Sequence, residues 1–252
     1  MDFLATILEK KAEEVAQLSE QQVQTTTKRP SFYQTVKEAP ETVHLIGEIK
    51  RASPSKGDIK TDVDILEQAK SYEAGGVSAI SVLTDEVFFK GTIEDLKEVA
   101  QVVKLPILCK DFIIDERQLV RAKNAGASIV LLIVAALTEE RLSELYQAAK
   151  TLGLEVLVET HNQEELNTAH RIDAQIIGVN NRDLTTFDVT IATSEALAQP
   201  STDRIYISES GFKTGEDVQR IAKDYQAVLV GETLMRSENI AEKIQELRVK
   251  RT

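Results

Sequence analysis

Short apolar runs alternate with amphipathic ones along most of this chain. Eight of the apolar runs, at about 44–49, 77–83, 105–109, 128–134, 154–158, 175–179, 204–208 and 226–230, are hydrophobic almost throughout rather than at every second position. Strands covered on both faces read this way, because water reaches neither side. Between the runs the spacing changes to three and four. Ile65, Leu66, Ala69 and Tyr72 make one stripe, Ile93, Leu96, Val99, Ala100 and Val103 a second, and Leu142, Leu145, Tyr146 and Ala149 a third. Each stripe predicts a helix with one buried face. Thr138 ahead of Glu139 and Glu140, and Asn162 three residues before Glu165, predict helix starts where a side-chain oxygen accepts from an orphan N–H. Gly75-Gly76, Gly126 and Gly153 fall where helices should end before the next strand. Eight strands alternating with helices over 252 residues predict an α/β fold, a (β/α)₈ TIM barrel. Leu4, Ile7, Leu8, Val15 and Leu18 predict an amphipathic helix before it, followed by a polar, threonine-rich loop at 21–28. The expected layout is one domain, with a helical extension over about 1–40 and the barrel over about 41–252.

Composition narrows the classes. A hydrophobic fraction of 42% and a charged fraction of 28% suit a globular domain large enough to bury its own core. The single cysteine, Cys109, rules out an intrachain disulfide and suits a reducing, cytoplasmic setting. The first ten residues lack the basic and apolar regions of a secretory signal. The longest apolar run, 129–137, is far short of the ~20 residues of a membrane helix. A formal charge of −11 argues against non-specific nucleic-acid binding, but an anionic substrate depends on the local field. Lys50, Arg51, Lys56, Lys110 and Arg182 supply such a field.

Those cations sit at the ends of apolar runs, where barrel enzymes carry their chemistry. Glu48 and Lys50 follow the first run, Lys110 the third, Glu159 the fifth, Asn180 and Arg182 the sixth, and Glu209 the seventh. Side chains two apart on a strand share a face, so Glu48 pairs with Lys50, Lys110 with Phe112, and Asn180 with Arg182. Cys109 then points to the helices as a small core residue. Each residue has a plainer reading: a surface ion pair for Glu48 and Lys50, a solvated loop lysine for Lys110, a helix N-terminal acid for Glu159. Their coincidence at one end of several strands favours acid–base chemistry. The turns Glu209-Ser210-Gly211 and Gly231-Glu232-Thr233 follow the last two runs, where barrels often bind phosphate through backbone N–H groups. His44, His161 and His170 lack ligand spacing, and no nucleotide-binding glycine motif occurs, so neither metal nor cofactor is expected.

The stretches Glu48–Gly57, Ser81–Asp85, Phe88–Gly91, Cys109–Phe112, Val158–Glu159, Gly178–Leu184, Ser208–Gly211 and Val230–Glu232 together resemble the indole-3-glycerol phosphate synthase family of tryptophan biosynthesis. The resemblance spans nearly the whole barrel, includes the N-terminal helix, and implies the form with a single barrel. It implies a cofactor-free carbon–carbon lyase. That enzyme closes, decarboxylates and dehydrates 1-(2-carboxyphenylamino)-1-deoxyribulose 5-phosphate to indole-3-glycerol phosphate. By that resemblance Lys110 is the general acid, Glu159 the general base, and Glu48 with Lys50 a second acid–base pair. Asn180 and Arg182 meet the sugar hydroxyls and neighbouring carboxylates, and Ser53 and Lys56 belong to a closing loop. Phe89 and Phe112 wall the ring slot, Ser210, Gly211, Gly231 and Thr233 ring the phosphate, and Glu209 is a further substrate-binding residue. The expected partner is the small phosphorylated substrate, with no nucleic acid and no membrane; association with other tryptophan-pathway enzymes is not readable from the residues. Three rivals compete. A phosphoribosylanthranilate isomerase wants a cysteine or aspartate pair rather than two lysines and two glutamates. A sugar-phosphate epimerase wants metal-binding histidines. A non-catalytic barrel would have lost Lys110 or Glu159.

Overall fold

The computed structural model describes residues 3–24, 27–53, 57–59, 62–199 and 203–251. Eight parallel strands close into a barrel: β1 (His44–Ile49), β2 (Ala79–Leu83), β3 (Ile107–Lys110), β4 (Ile129–Ile133), β5 (Glu155–Thr160), β6 (Ile176–Asn180), β7 (Ile205–Glu209) and β8 (Ala227–Val230). Each pairs with its sequence neighbours and β8 closes on β1, with His44 beside Ala227 and Gly47 beside Val230. All eight lie within about two residues of the apolar runs. The difference is at their carboxyl ends. Lys110, Asn180 and Glu209 are the last residues of their strands rather than the first of the loops, so the ladder itself aims them.

The pleat sorts side chains into two cores. Ile46, Leu108, Leu131, Leu157, Ile176, Ile207 and Leu229 fill the barrel interior. Leu45, Val82, Cys109, Val130, Val158, Ile177 and Val228 face the helices, where they meet Tyr72, Leu96, Leu119, Leu142 and Leu166. Cys109 is on the helix side as its parity requires, and burial pushes its thiol up to about 12. Thr138 and Asn162 do cap their helices, accepting from the N–H of Arg141 and of Glu165.

Two helices precede the barrel, and they close opposite ends of it. α1 (Phe3–Ala16) lies across the mouth at the carboxyl ends of the strands, where Phe3, Leu4 and Ile7 border the central cavity. α2 (Phe32–Glu38), not anticipated from the sequence, inserts Phe32 and Val36 into the interior cluster. Its start is fixed by Glu155 of β5, which accepts from the N–H groups of Phe32 (2.8 Å) and Tyr33 (3.0 Å) and from the Ser31 hydroxyl (2.6 Å). A carboxylate at a helix N-terminus is favoured by the exposed N–H groups there. Ser31 followed by Phe32 and Val36 was its local signal: a capping residue and an apolar pair four apart.

Candidate active site

The interior parity continues past the apolar layers into charge. Glu48, Lys110, Glu159, Asn180 and Glu209 share the face of Ile46, Leu108, Leu157, Ile176 and Ile207, and all border one cavity at the mouth. Lys110 is its centre. Its Nζ donates to Glu159 Oε2 at 2.8 Å and to Glu209 Oε2 at 2.7 Å. Lys50 Nζ lies 2.7 Å from Glu48 Oε1. Glu48, Glu159 and Glu209 are all buried.

Burial by itself would strip the proton from Lys110, but Glu159, Glu209 and Glu48 outweigh it and hold the ammonium well above the usual lysine range. Burial would likewise protonate Glu159, yet Lys110 and His161 keep it below the usual carboxylate range. Glu209 goes the other way. Burial raises it, Lys110 only partly opposes this, and the neighbouring Glu159 adds to the rise. One ammonium facing two carboxylates favours a shared proton, and Glu209 is the better place for it. The Glu209 Oε1 atom is also buried without a hydrogen-bond partner.

Glu209 opens the Ser210-Gly211 turn, but its carboxylate lies in the cluster around Lys110. Gly178 makes the room: a side chain there would collide with the Glu209 carboxylate. Gly231 does the same for Glu48, since a Cβ would come within 2.6 Å of Glu48 Oε1. Its missing side chain therefore serves a carboxylate as well as any approach of substrate.

The remaining predicted residues gather on the same cavity, which Phe89, Phe112 and Ser53 also line. The Phe89 and Phe112 rings stand 6.1 Å apart, centre to centre. Ser53 is buried and pairs with Gly57 across a small antiparallel ladder; Lys56 lies outside the described residues. Asn180 Oδ1 accepts from the Arg182 N–H and the Ser210 hydroxyl. The Arg182 guanidinium donates to the Phe187 carbonyl, which shapes the loop after β6. Ser210 and Gly211 both have left-handed backbone, with φ of 70° and 98°. Glycine adopts this readily and serine does not, and Asn181 holds the turn by donating to the Ser210 carbonyl at 3.0 Å. Thr233 donates its hydroxyl to the Phe212 carbonyl at 2.6 Å, tying the loop after β8 to that after β7.

Two features escaped the sequence reading, Lys213 and the roof made by α1, and a third, His161, is visible there only as a chain neighbour of Glu159. Lys213 adds a cation at the cavity edge beside the Gly211 turn. His161 stands behind Glu159. α1 roofs the cavity, with the Phe3 ring edge-on to Phe88 at 5.5 Å and to Phe187 at 5.1 Å. It is locked down by Lys11, whose Nζ lies 2.8 Å from Asp111, 3.0 Å from Asp85 and 2.6 Å from Glu14. The signal was present: Lys11 occupies a stripe position between Ile7 and Val15, where a lysine should not be buried unless paired.

Comparison with known proteins shows the family of the chain. The family model described as indole-3-glycerol phosphate synthase matches residues 4–247. Indole-3-glycerol phosphate synthase of Listeria welshimeri is 56% identical over 252 residues, all of both chains. That of Streptococcus sanguinis is 56% identical over 249 residues, 98% of each chain. That of Listeria monocytogenes is 59% identical over 237 residues, 94% of each. Among solved structures, thiamine phosphate pyrophosphorylase from Pyrococcus furiosus superposes with a TM-score of 0.61 at 16% identity, covering 81% of this chain and 93% of that one, a likeness of fold alone. A family match over nearly the full length, with relatives more than half identical end to end, shows that this chain belongs to the indole-3-glycerol phosphate synthase family.

Proposed function

We propose that the enzyme converts 1-(2-carboxyphenylamino)-1-deoxyribulose 5-phosphate to indole-3-glycerol phosphate, carbon dioxide and water at this mouth. One observation carries the reading: an ammonium at the cavity, Lys110, between two buried carboxylates of opposite tendency, in a slot walled by phenylalanines. The chemistry has three demands. The ring carbon that bears the carboxylate attacks the ketone, whose oxygen gains charge as the carbon–carbon bond forms; Lys110 gives it a proton. The nitrogen-bearing ring is then cationic, and Glu159 faces that charge. The C–CO₂ bond breaks and its electron pair returns to the ring. Finally a proton and a hydroxide leave as water. Glu159 acts as the base for proton removal, and Glu48 with Lys50 forms the second acid–base pair. Glu209 carries an exchangeable proton within reach of Lys110.

Substrate binding alters these tendencies in a useful direction. When Lys110 turns to the ketone oxygen, Glu159 loses its stronger cation and becomes a better base. Phe89 and Phe112 hold the aromatic ring, and Lys50 meets the substrate carboxylate. Asn180 and Arg182 serve the sugar hydroxyls and adjoining carboxylates. Ser210, Gly211, Gly231 and Thr233 ring the phosphate, with Lys213 nearby, while Ser53 and Lys56 belong to the loop that closes over it. The net reaction is redox-neutral and its acids and bases are side chains, so no cofactor is proposed. The lone, buried Cys109 suits a reducing, cytoplasmic setting. Mixing enzyme with the carboxyphenylamino substrate and following indole fluorescence tests the reading. Turnover that survives exhaustive chelation is expected; no indole product, or activity restored only by a divalent ion, would overturn it.

A further inference from the structure

His161 directly follows β5, and its ring lies between two carboxylates. Nδ1 is 2.9 Å from Glu165 Oε2, and Nε2 is 3.3 Å from Glu159 Oε1. Glu165 is itself fixed. Its Oε2 also accepts the His161 backbone N–H at 2.9 Å, its Oε1 accepts from Asn162 Nδ2 at 2.6 Å, and its own N–H donates to Asn162 Oδ1 at 3.0 Å. The imidazole is therefore clamped from behind by a capped helix start. On the front side Nε2 is buried and makes no well-aligned hydrogen bond; the group before it is the Glu159 carboxylate, long and off-line. The other Glu159 oxygen is held by Lys110. Glu159 is thus suspended between a cation that must leave for the substrate and one that has no reason to move.

We propose that His161, clamped by Glu165, is a positioning residue for Glu159: when Lys110 turns to the substrate, the Nε2–H of His161 straightens onto Oε1 and keeps that carboxylate charged and aimed into the mouth. The inference rests on the reaction proposed above. The ring is suited to this because burial, which would lower its pKa, is outweighed by Glu159 and Glu165, which bring it up to about 10. Asp183, in the loop after β6, feels the charge of the ring, while its carboxylate accepts from the N–H groups of Thr185 and Thr186. Lys110 lies across Glu159, on the other carboxylate oxygen.

The test compares His161→Ala and His161→Gln with the unaltered enzyme on the carboxyphenylamino substrate, across pH. His161→Ala is expected to lower kcat roughly 10–100-fold while KM stays within about threefold, as for loss of orientation in the transition state. Removing a cation beside Glu159 raises that carboxyl's pKa, so the acid limb of kcat, which reports the substrate complex, moves up by about one pH unit. His161→Gln, a neutral donor, should recover part of kcat but leave the acid limb displaced. A kcat within twofold of the unaltered enzyme with an unmoved limb would overturn the inference, as would a rise in KM alone. Should His161→Ala fail to fold, Glu165→Gln releases the clamp and must move kcat and the limb in the same directions. Nitrogen NMR of the His161 ring in the substrate-free protein needs no turnover, so it separates this inference from the reaction itself. Both ring nitrogens protonated at about pH 8 is the expected result; a neutral ring there would refute the clamp even in an active enzyme.

Discussion

Lys110 and Lys11 are both ammonium groups held by buried carboxylates at the mouth of one barrel, but of the two only Lys110 borders open space. Its side chain is 12% exposed and lines the cavity. Lys11 is 1% exposed, sealed between α1 and the strand ends by Asp85, Asp111 and Glu14. Both have pKa values held up by carboxylates against burial. A perturbed, paired lysine therefore does not by itself mark chemistry. What separates the two is whether a reacting atom can reach Nζ. At Lys110 the charge cluster can exchange a carboxylate for a substrate oxygen. At Lys11 the same physics only fastens a lid.

The largest effect that can break this comparison is on turnover. Lys110→Ala should lower kcat by roughly two to four decades, the range for losing a positioned general acid; Glu159 and Glu209 also lose their ammonium, but both line the cavity, where water can replace it, so the midpoint of urea unfolding falls less than in Lys11→Ala. A kcat within about threefold of the unaltered enzyme would transfer the role to Lys50. Lys11→Ala should do the reverse. It leaves Asp85 and Asp111 buried without their ammonium, a loss of about 3–5 kcal/mol by analogy with other broken buried pairs, eased by Arg121, which also reaches Asp111. Urea unfolding of the purified variant measures it, and an unchanged midpoint would show that α1 is held by its apolar face alone.

Smaller effects sharpen the picture within the mouth. Gly231→Ala must displace the Glu48 carboxylate, so kcat should fall by about tenfold with modest change in KM. A rise confined to KM would limit Gly231 to its role in phosphate access. The gentlest effect is on stability against pH. His161 binds its proton more tightly folded, at about 10, than its ordinary 6.5. Its stabilising contribution is complete below about pH 6.5 and is lost as pH rises through about 10. Thermal unfolding of His161→Gln should therefore fall less steeply than that of the unaltered protein between those values.

Much of this was legible in the sequence, for a definite reason. Periodicity and strand parity are local, so the eight strands, the outward Cys109, and the inward Glu48, Lys110 and Glu159 could all be read from spacing. What spacing does not hold is which side chain meets which across the barrel. In the sequence Glu209 reads as part of a glycine turn because its neighbours Ser210 and Gly211 are turn residues. Only the β6–β7 register, which sets Asn180 beside Glu209 and leaves room at Gly178, carries it to Lys110. Lys11 finds Asp85 and Asp111 far along the chain, so its lysine in an apolar stripe was a visible anomaly without a visible partner.

The most direct measurement is a single-turnover experiment at saturating substrate, run side by side on Lys110→Ala and Lys11→Ala at a temperature where both are folded. If Lys110 does the chemistry and Lys11 fastens the roof, Lys110→Ala loses at least about a hundredfold in the rate of indole formation. Lys11→Ala, its weaker closure offset by saturation, stays within about tenfold. Equal losses in the two variants, or the larger loss at Lys11, would contradict the division of labour between them.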